Sequence, residues 1–183
     1  MTFKWLPNAL TIARCGLAFV VGWAILALSP LWALILFVAT ALSDFFDGYA
    51  ARKLDAVSAF GAFLDPVADK LLVAAALIAL CMQKDWGWLI AVPTAIIILR
   101  DTTVTVFRLF PSIKLPVVNL AKWKTALEMV GIGCVLGTPL IIAAQSMIAY
   151  TGLVLIWLAA LLSAYTGFRY TTSAVSQMQN DRA

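Results

Sequence analysis

The chain has no histidine, nine acidic residues, and charge on 12% of its 183 positions. Each scarcity excludes something. Without histidine there is no imidazole base and no His-ligated zinc. The three cysteines, Cys15, Cys81 and Cys134, lie in apolar runs without CxxC spacing. They read as reduced packing residues and not as a disulfide framework. The 13 lysines and arginines are scattered over predicted helix ends and form no patch, so nucleic acid is not an expected partner. Arg14 interrupts the first apolar stretch, and the run beyond it is long enough to stay as a span, so a cleaved leader is not expected either.

What is abundant is apolar surface. Hydrophobic residues make up 63% of the chain and the mean hydropathy is +0.98. A soluble domain is nearer half apolar. The excess is spread over the whole length, and several runs reach the roughly 20 residues that cross a bilayer. The fold class expected is all-α, a polytopic membrane protein with six transmembrane helices. The spans read from about Arg14 to Leu28, from Leu31 into Asp44 to Arg52, Gly61 to Met82, Trp88 to Arg108, Lys124 to Ala144, and Ser146 to Phe168. Breaks are expected at Ser29-Pro30, at Gln83-Lys84-Asp85 and over Phe110 to Pro116, with Pro93 a possible kink. One membrane domain therefore covers residues 1–170, and residues 171–183 form a polar tail that frays. Gly133 and Gly137 form a small-xxx-small pair suited to close helix packing.

Six spans with a cytoplasmic N-terminus place twelve of the 13 basic residues at inner ends and only Lys84 outside. That bias fixes the orientation by the positive-inside rule, with both termini cytoplasmic.

Against this background the acids are concentrated. Asp44, Asp47, Asp65 and Asp69 are four of the nine, at spacings of three and four between apolar flanks. Carboxylates at i and i+3 or i+4 share one face of a helix. Two such helices packed antiparallel bring four carboxylates into one small volume. So many like charges need a counter-charge, and all-oxygen ligands favour hard divalent cations such as Mg²⁺ or Mn²⁺. Two ions suit four carboxylates and phosphate chemistry. Asp44 lies about 20 Å along its helix from Leu31, at 1.5 Å per residue, inside a hydrocarbon core about 30 Å thick. The cluster belongs to the cytoplasmic third of the membrane, where ionisable residues imply function.

The stretch Asp44-x-x-Asp47-Gly48-x-x-Ala51-Arg52, eight residues, then Gly61-x-x-x-Asp65-x-x-x-Asp69 resembles the signature of the CDP-alcohol phosphotransferases at every fixed position. The six-span layout resembles that family too. The resemblance implies a metal-dependent enzyme with CDP-diacylglycerol and membrane lipids as partners, an active site facing the cytoplasm and, in a bacterium, a place in the inner membrane. It implies Asp44, Asp47, Asp65 and Asp69 as ligands of two Mg²⁺ or Mn²⁺ ions. Asp69 is implied as the catalytic base for the acceptor hydroxyl. Gly48, Ala51, Arg52 and Gly61, with Asn8 and Thr11, are implied for the CDP-lipid. A homodimer is implied as well.

Further segments resemble the branch that uses glycerol 3-phosphate: Pro7-Asn8-x-Leu10-Thr11-x-x-Arg14, Phe60 to Lys70, Arg100 with Arg108, and Lys122-x-Lys124-Thr125. They imply Arg100, Arg108, Lys122 and Lys124 as ligands of the acceptor phosphate. The chain departs from that branch at Arg100-Asp101, where Arg-Glu is common, and at Ala121-Lys122, where Gly-Lys is common. Phosphatidylglycerol, serine or an inositol phosphate are the alternative acceptors. A cation transporter is the reading from another class, and it expects carboxylates at mid-membrane and an internal repeat. Neither is present. Among the plainer readings, Asp101 is a helix-end charge and Arg100 only snorkels to the interface.

Overall fold

Proline, glycine and threonine decide where the helices of this chain stop, touch and close their backbone bonds. The structure, a computed structural model, describes residues 6–53, 59–83, 85–108 and 120–180. Among them are six long helices and no strand: α1 Leu6–Ala27, α2 Pro30–Lys53, α3 Ala59–Met82, α4 Trp88–Arg108, α5 Leu120–Gly137 and α6 Gln145–Asn180. The fold is all-α, and α2, α3, α4 and the end of α1 fall where the apolar runs predict them. The connector expected over Phe110 to Pro116 lies outside the described residues.

The chain direction alternates. A turn at Leu28-Ser29 returns α2 along α1, and Pro30 opens α2 where its missing N–H is harmless. Gln83 Nε2 donates to the Ile25 carbonyl at 2.5 Å, so α1 and α3 end side by side and run parallel. Lys70 and Cys81 of α3 meet Asp101 and Thr94 of α4, respectively, so that pair is antiparallel. α4 and α6 run parallel, because Leu89 meets Trp157 while Arg100 meets Tyr170. One end of the bundle therefore gathers the C-termini of α1, α3 and α5. The other end, called the motif end below, gathers the acidic signature.

Pro93 lies inside α4 and cannot bond the Leu89 carbonyl four residues earlier. The Trp157 indole Nε1–H of α6 donates to that carbonyl at 3.0 Å. An orphan acceptor in an apolar interior costs about 1–3 kcal/mol, so α6 repairs a defect that the α4 sequence creates. Threonine hydroxyls are closed inside their own helices, as Thr40 on Leu36 O at 2.8 Å and Thr166 on Leu162 O at 2.8 Å show.

Two expectations are corrected. The fifth helix does not reach Ala144. It stops at Gly137, because Pro139 cannot donate, and the chain passes through two 3-10 turns, Thr138–Leu140 and Ile142–Ala144. The segment after Arg169 does not fray at once; α6 stays helical to Asn180. The glycines that let helices touch also differ from the expected pair. A Cβ on Gly131 would lie 2.9 Å from Ile156 Cγ1 and 3.1 Å from the Gly152 carbonyl oxygen, whereas one on Gly133 would meet nothing. A Cβ on Gly152 would lie 2.8 Å from Val135 Cγ2 and 3.0 Å from the Gly131 carbonyl oxygen. Gly131 and Gly152 are thus the contact that sets the spacing of α5 and α6.

The buried interior is rich in small residues, among them Ala18, Ala24, Ala76, Ala159 and Ala160, which permit close helix approach. Large apolar side chains face outward on every helix, including Trp23, Trp32, Leu99, Trp123 and Phe168. A surface this apolar fits a lipid surround. Among the described residues, Trp88–Phe107 and Ile142–Ser173 are long and apolar enough to cross a membrane, while Ile12–Ala27, Pro30–Ser43 and Lys70–Met82 are shorter apolar stretches. The three cysteines are free and half-buried, as their apolar settings predict.

Gly131→Ala is expected to lower stability by about 1–3 kcal/mol through overpacking against α6. Gly133→Ala should be neutral or slightly stabilising from helix propensity. Thermal unfolding of both variants in the same detergent checks the contrast, and equal effects would remove Gly131 from the helix contact.

Candidate active site

The acidic signature lies on α2 and α3, which touch each other and both pack on α1. Asp44, Asp47, Gly48, Ala51 and Arg52 fall in the last turns of α2, and Gly61, Asp65 and Asp69 fall in the first half of α3. Asn8 and Thr11 fall in the first two turns of α1. All three segments are at the motif end. The side chains of these residues lie outside the described residues, as do those of Arg108 and Lys122 on α4 and α5. Among the described side chains, no group of three or more His, Cys, Asp or Glu is arranged to hold a metal. The donor set of the signature itself is four carboxylates, which suits a hard divalent ion.

Beside the signature the structure shows a buried charge cluster. Lys70, the residue after Asp69, reaches α4, where its Nζ donates to the Asp101 carbonyl at 3.1 Å and to Thr105 Oγ1 at 2.7 Å. Thr105 Oγ1 donates back to the same carbonyl at 2.7 Å. The Asp101 carboxylate meets two cations through one oxygen: Arg100 Nη1 at 2.7 Å and Lys124 Nζ at 2.5 Å, from α4 and α5. Lys124 Nζ also lies 3.2 Å from Glu128 Oε1, one turn along α5. Lys124 and Glu128 are almost completely buried, each with 3% of its side chain exposed.

α6 completes the enclosure. The Arg100 guanidinium carbon sits 5.3 Å from the centre of the Tyr170 ring, within cation–π range. A Cβ on Gly167 would lie 2.8 Å from Arg100 Cγ, so glycine at this position makes room for the arginine. Ser163, one turn before Gly167, is fully buried and its Oγ has no hydrogen-bond partner. Arg100 Nε is also buried without a partner. The guanidinium therefore has spare donor capacity inside a packed interior, where an unused donor costs about 1–3 kcal/mol.

Of the four cations expected at the acceptor phosphate, Arg100 and Lys124 are thus brought together, on one carboxylate. The plainer reading of Arg100 as a snorkelling interfacial residue does not hold, since its side chain is 9% exposed and turned into the bundle. Asp101 is not a simple helix-end charge, because it stands at the centre of the cluster. Glu128 carried one signal in the sequence, its i+4 spacing from Lys124 on a helix. Gly167 and Tyr170 carried none, because their contact with Arg100 is made across helices.

A slot of ≈ 220 Å³ lies between α3 and α4, apolar along Val67, Leu71, Ala74 and Ile98, with Lys70 and Asp101 at its polar end. A larger cavity of ≈ 760 Å³ opens at the opposite end of the bundle, bordered by Gln83, Asp85, Trp86 and Tyr150. It is a bundle length away from the signature.

The family model described as CDP-alcohol phosphatidyltransferase matches residues 4–165. A protein of Rickettsia bellii named CDP-diacylglycerol--glycerol-3-phosphate 3-phosphatidyltransferase is 39% identical over 175 residues, covering 90% of this chain and 92% of its own. A protein of the same name from Cereibacter sphaeroides is 35% identical over 218 residues, covering 97% and 98%. A cardiolipin synthase (CMP-forming) of Oryza sativa subsp. japonica is 35% identical over 184 residues, covering 88% of this chain and 54% of its own length.

Lys124→Met is expected to lose about 3 kcal/mol or more of stability, because Asp101 and Glu128 would be left buried without their shared ammonium. Trp123→Leu, next to it but 68% exposed, should cost little. Thermal unfolding in one detergent compares the two, and equal losses would show that Lys124 is not holding the cluster.

Proposed function

The chain belongs to the CDP-alcohol phosphatidyltransferase family, and on that premise we propose that it transfers the phosphatidyl group of CDP-diacylglycerol to glycerol 3-phosphate, in phospholipid biosynthesis. The observation that carries the acceptor is the likeness to the Rickettsia bellii protein of that name, at 39% identity over 92% of its length. Arg100 and Lys124 support it, as paired cations beside the acidic signature that suit a phosphorylated acceptor.

In this reading a free hydroxyl of glycerol 3-phosphate attacks the phosphorus that carries diacylglycerol. A new P–O bond forms, the P–O bond to CMP breaks, and CMP leaves with the electron pair. Asp69 takes the hydroxyl proton. Gly48 and Ala51 lack bulk and let the cytidine approach α2, with Arg52 near the phosphates and Gly61, Asn8 and Thr11 completing the donor site. Arg100, Arg108, Lys122 and Lys124 hold the acceptor phosphate. Asp44, Asp47, Asp65 and Asp69 would hold two Mg²⁺ or Mn²⁺ ions, which would supply Lewis-acid polarisation of the pyrophosphate and offset the charge on CMP. Transfer is direct, from the acceptor hydroxyl to phosphorus, without a covalent enzyme intermediate.

The same reading places six spans in a bacterial cytoplasmic membrane, with the motif end and both termini on the cytoplasmic side, and makes the protein a homodimer. Its support is the charge distribution, because among the described residues Arg14, Lys70, Arg100, Lys124 and Arg169 all lie in the motif-end halves of their helices. The likeness to a rice cardiolipin synthase keeps phosphatidylglycerol as the second acceptor to be tried.

Purified enzyme is expected to release CMP from CDP-diacylglycerol with glycerol 3-phosphate, and not with phosphatidylglycerol, serine or an inositol phosphate. Release with phosphatidylglycerol alone would move the protein to the cardiolipin branch. Asp69→Asn should lower kcat by about 10²-fold or more with thermal unfolding little changed, as loss of a general base does. EDTA should abolish turnover, and Mg²⁺ or Mn²⁺ should restore it. Activity that survives EDTA would remove the metals from the reading.

A further inference from the structure

Asp101 has no part in the acidic signature, yet three helices meet on it. Its carboxylate Oδ1 bonds Arg100 Nη1 and Lys124 Nζ, and its carbonyl bonds Lys70 Nζ, one residue past Asp69. We propose that Asp101 is a positioning residue that holds Arg100 and Lys124 together as one clamp for the acceptor phosphate, in register with the signature on α3. The proposal rests on the reading of those two cations as acceptor ligands.

Four observations carry it. Two cations at 2.7 and 2.5 Å from a single oxygen repel each other, and only the carboxylate between them makes that spacing favourable. Lys124 is buried and Arg100 largely so, so water screens the repulsion little. Arg100 is held on its other sides by the Tyr170 ring and the space that Gly167 leaves, which fixes the fork while its Nε is unused. Finally, Lys70 ties the Asp101 backbone to α3 through the carbonyl and Thr105, one residue past Asp69 in the chain.

A purely structural role predicts equal damage to every step. A positioning role predicts damage to the acceptor alone. The test is steady-state CMP release by wild type, Asp101→Asn, Asp101→Glu, Arg100→Ala and the double variant Arg100→Ala/Asp101→Asn, varying each substrate while the other saturates. Asp101→Asn should raise the KM for glycerol 3-phosphate about tenfold or more and leave that for CDP-diacylglycerol within about twofold. In the Arg100→Ala background the same substitution should add much less, because part of the group through which it acts is already gone. Asp101→Glu keeps the charge but moves it by one methylene, and should raise the acceptor KM about threefold with nothing else changed. Parallel losses on both substrates, or full additivity with Arg100→Ala, would overturn the proposal.

Should Asp101→Asn not fold, Asp101→Glu decides the matter: wild-type parameters, or a parallel change in both, overturn the proposal. Wild-type enzyme that responds only to another acceptor overturns the acceptor reading, and the same comparison is then read on that acceptor. No CMP release with any acceptor overturns both.

Discussion

A carboxylate between two buried cations is the contact on which the motif end depends. Asp101 is expensive to bury alone, and so are Arg100 and Lys124. Together they are bearable, provided that three backbones stay within a fraction of an ångström of their places. This turns an electrostatic cost into a geometric demand on α4 and α5, and through Lys70 on α3. The close-packed apolar interior sets helix spacing, and the ion pairs add a directional demand to it at the motif end.

The same logic of completed bonds runs through the rest of the fold. In an apolar surround no water is present to accept from a stray N–H or donate to a stray carbonyl. Pro93 breaks that rule on α4, and Trp157 answers from α6. The last turn of α1 leaves carbonyls over, and Gln83 answers from the end of α3. Each repair joins two parallel helices that no short loop joins. Side-chain donors thus fix the pairings α1 with α3 and α4 with α6, while the close glycines fix α5 against α6.

Much of this was legible in the sequence, and the misses have physical causes. Long apolar runs between charged or turn residues gave α2, α3 and α4 to within a few residues, and the end but not the start of α1, which begins at Leu6 and not near Arg14. The boundary between the fifth and sixth helices was not legible, because Thr138 to Ala144 is as apolar as a helix interior and only Pro139 marks the stop. The polar composition after Arg169 suggested fraying, but polar residues continue a helix readily once its earlier turns are packed. The signature was legible because fixed spacing is a one-dimensional property. The setting of Asp101 was not, since a single acid beside an arginine looks alike whether it faces solvent or a lysine 23 positions away. Gly131 and Gly152 were missed for the same reason: spacing along one helix cannot say which glycine faces the neighbour.

The length of α6 has a practical consequence. At about 1.5 Å per residue, the eleven residues from Tyr170 to Asn180 extend about 16 Å beyond the ring that stacks on Arg100. They form a stiff rod with its base in the bundle and no loop between. A spin label or fluorophore at Gln177 would inherit the bearing of that rod and report the tilt of the whole helix by its depth and distance to a partner probe. The C-terminal turns are a ruler already attached to the molecule, graduated in helical steps and anchored beside Arg100.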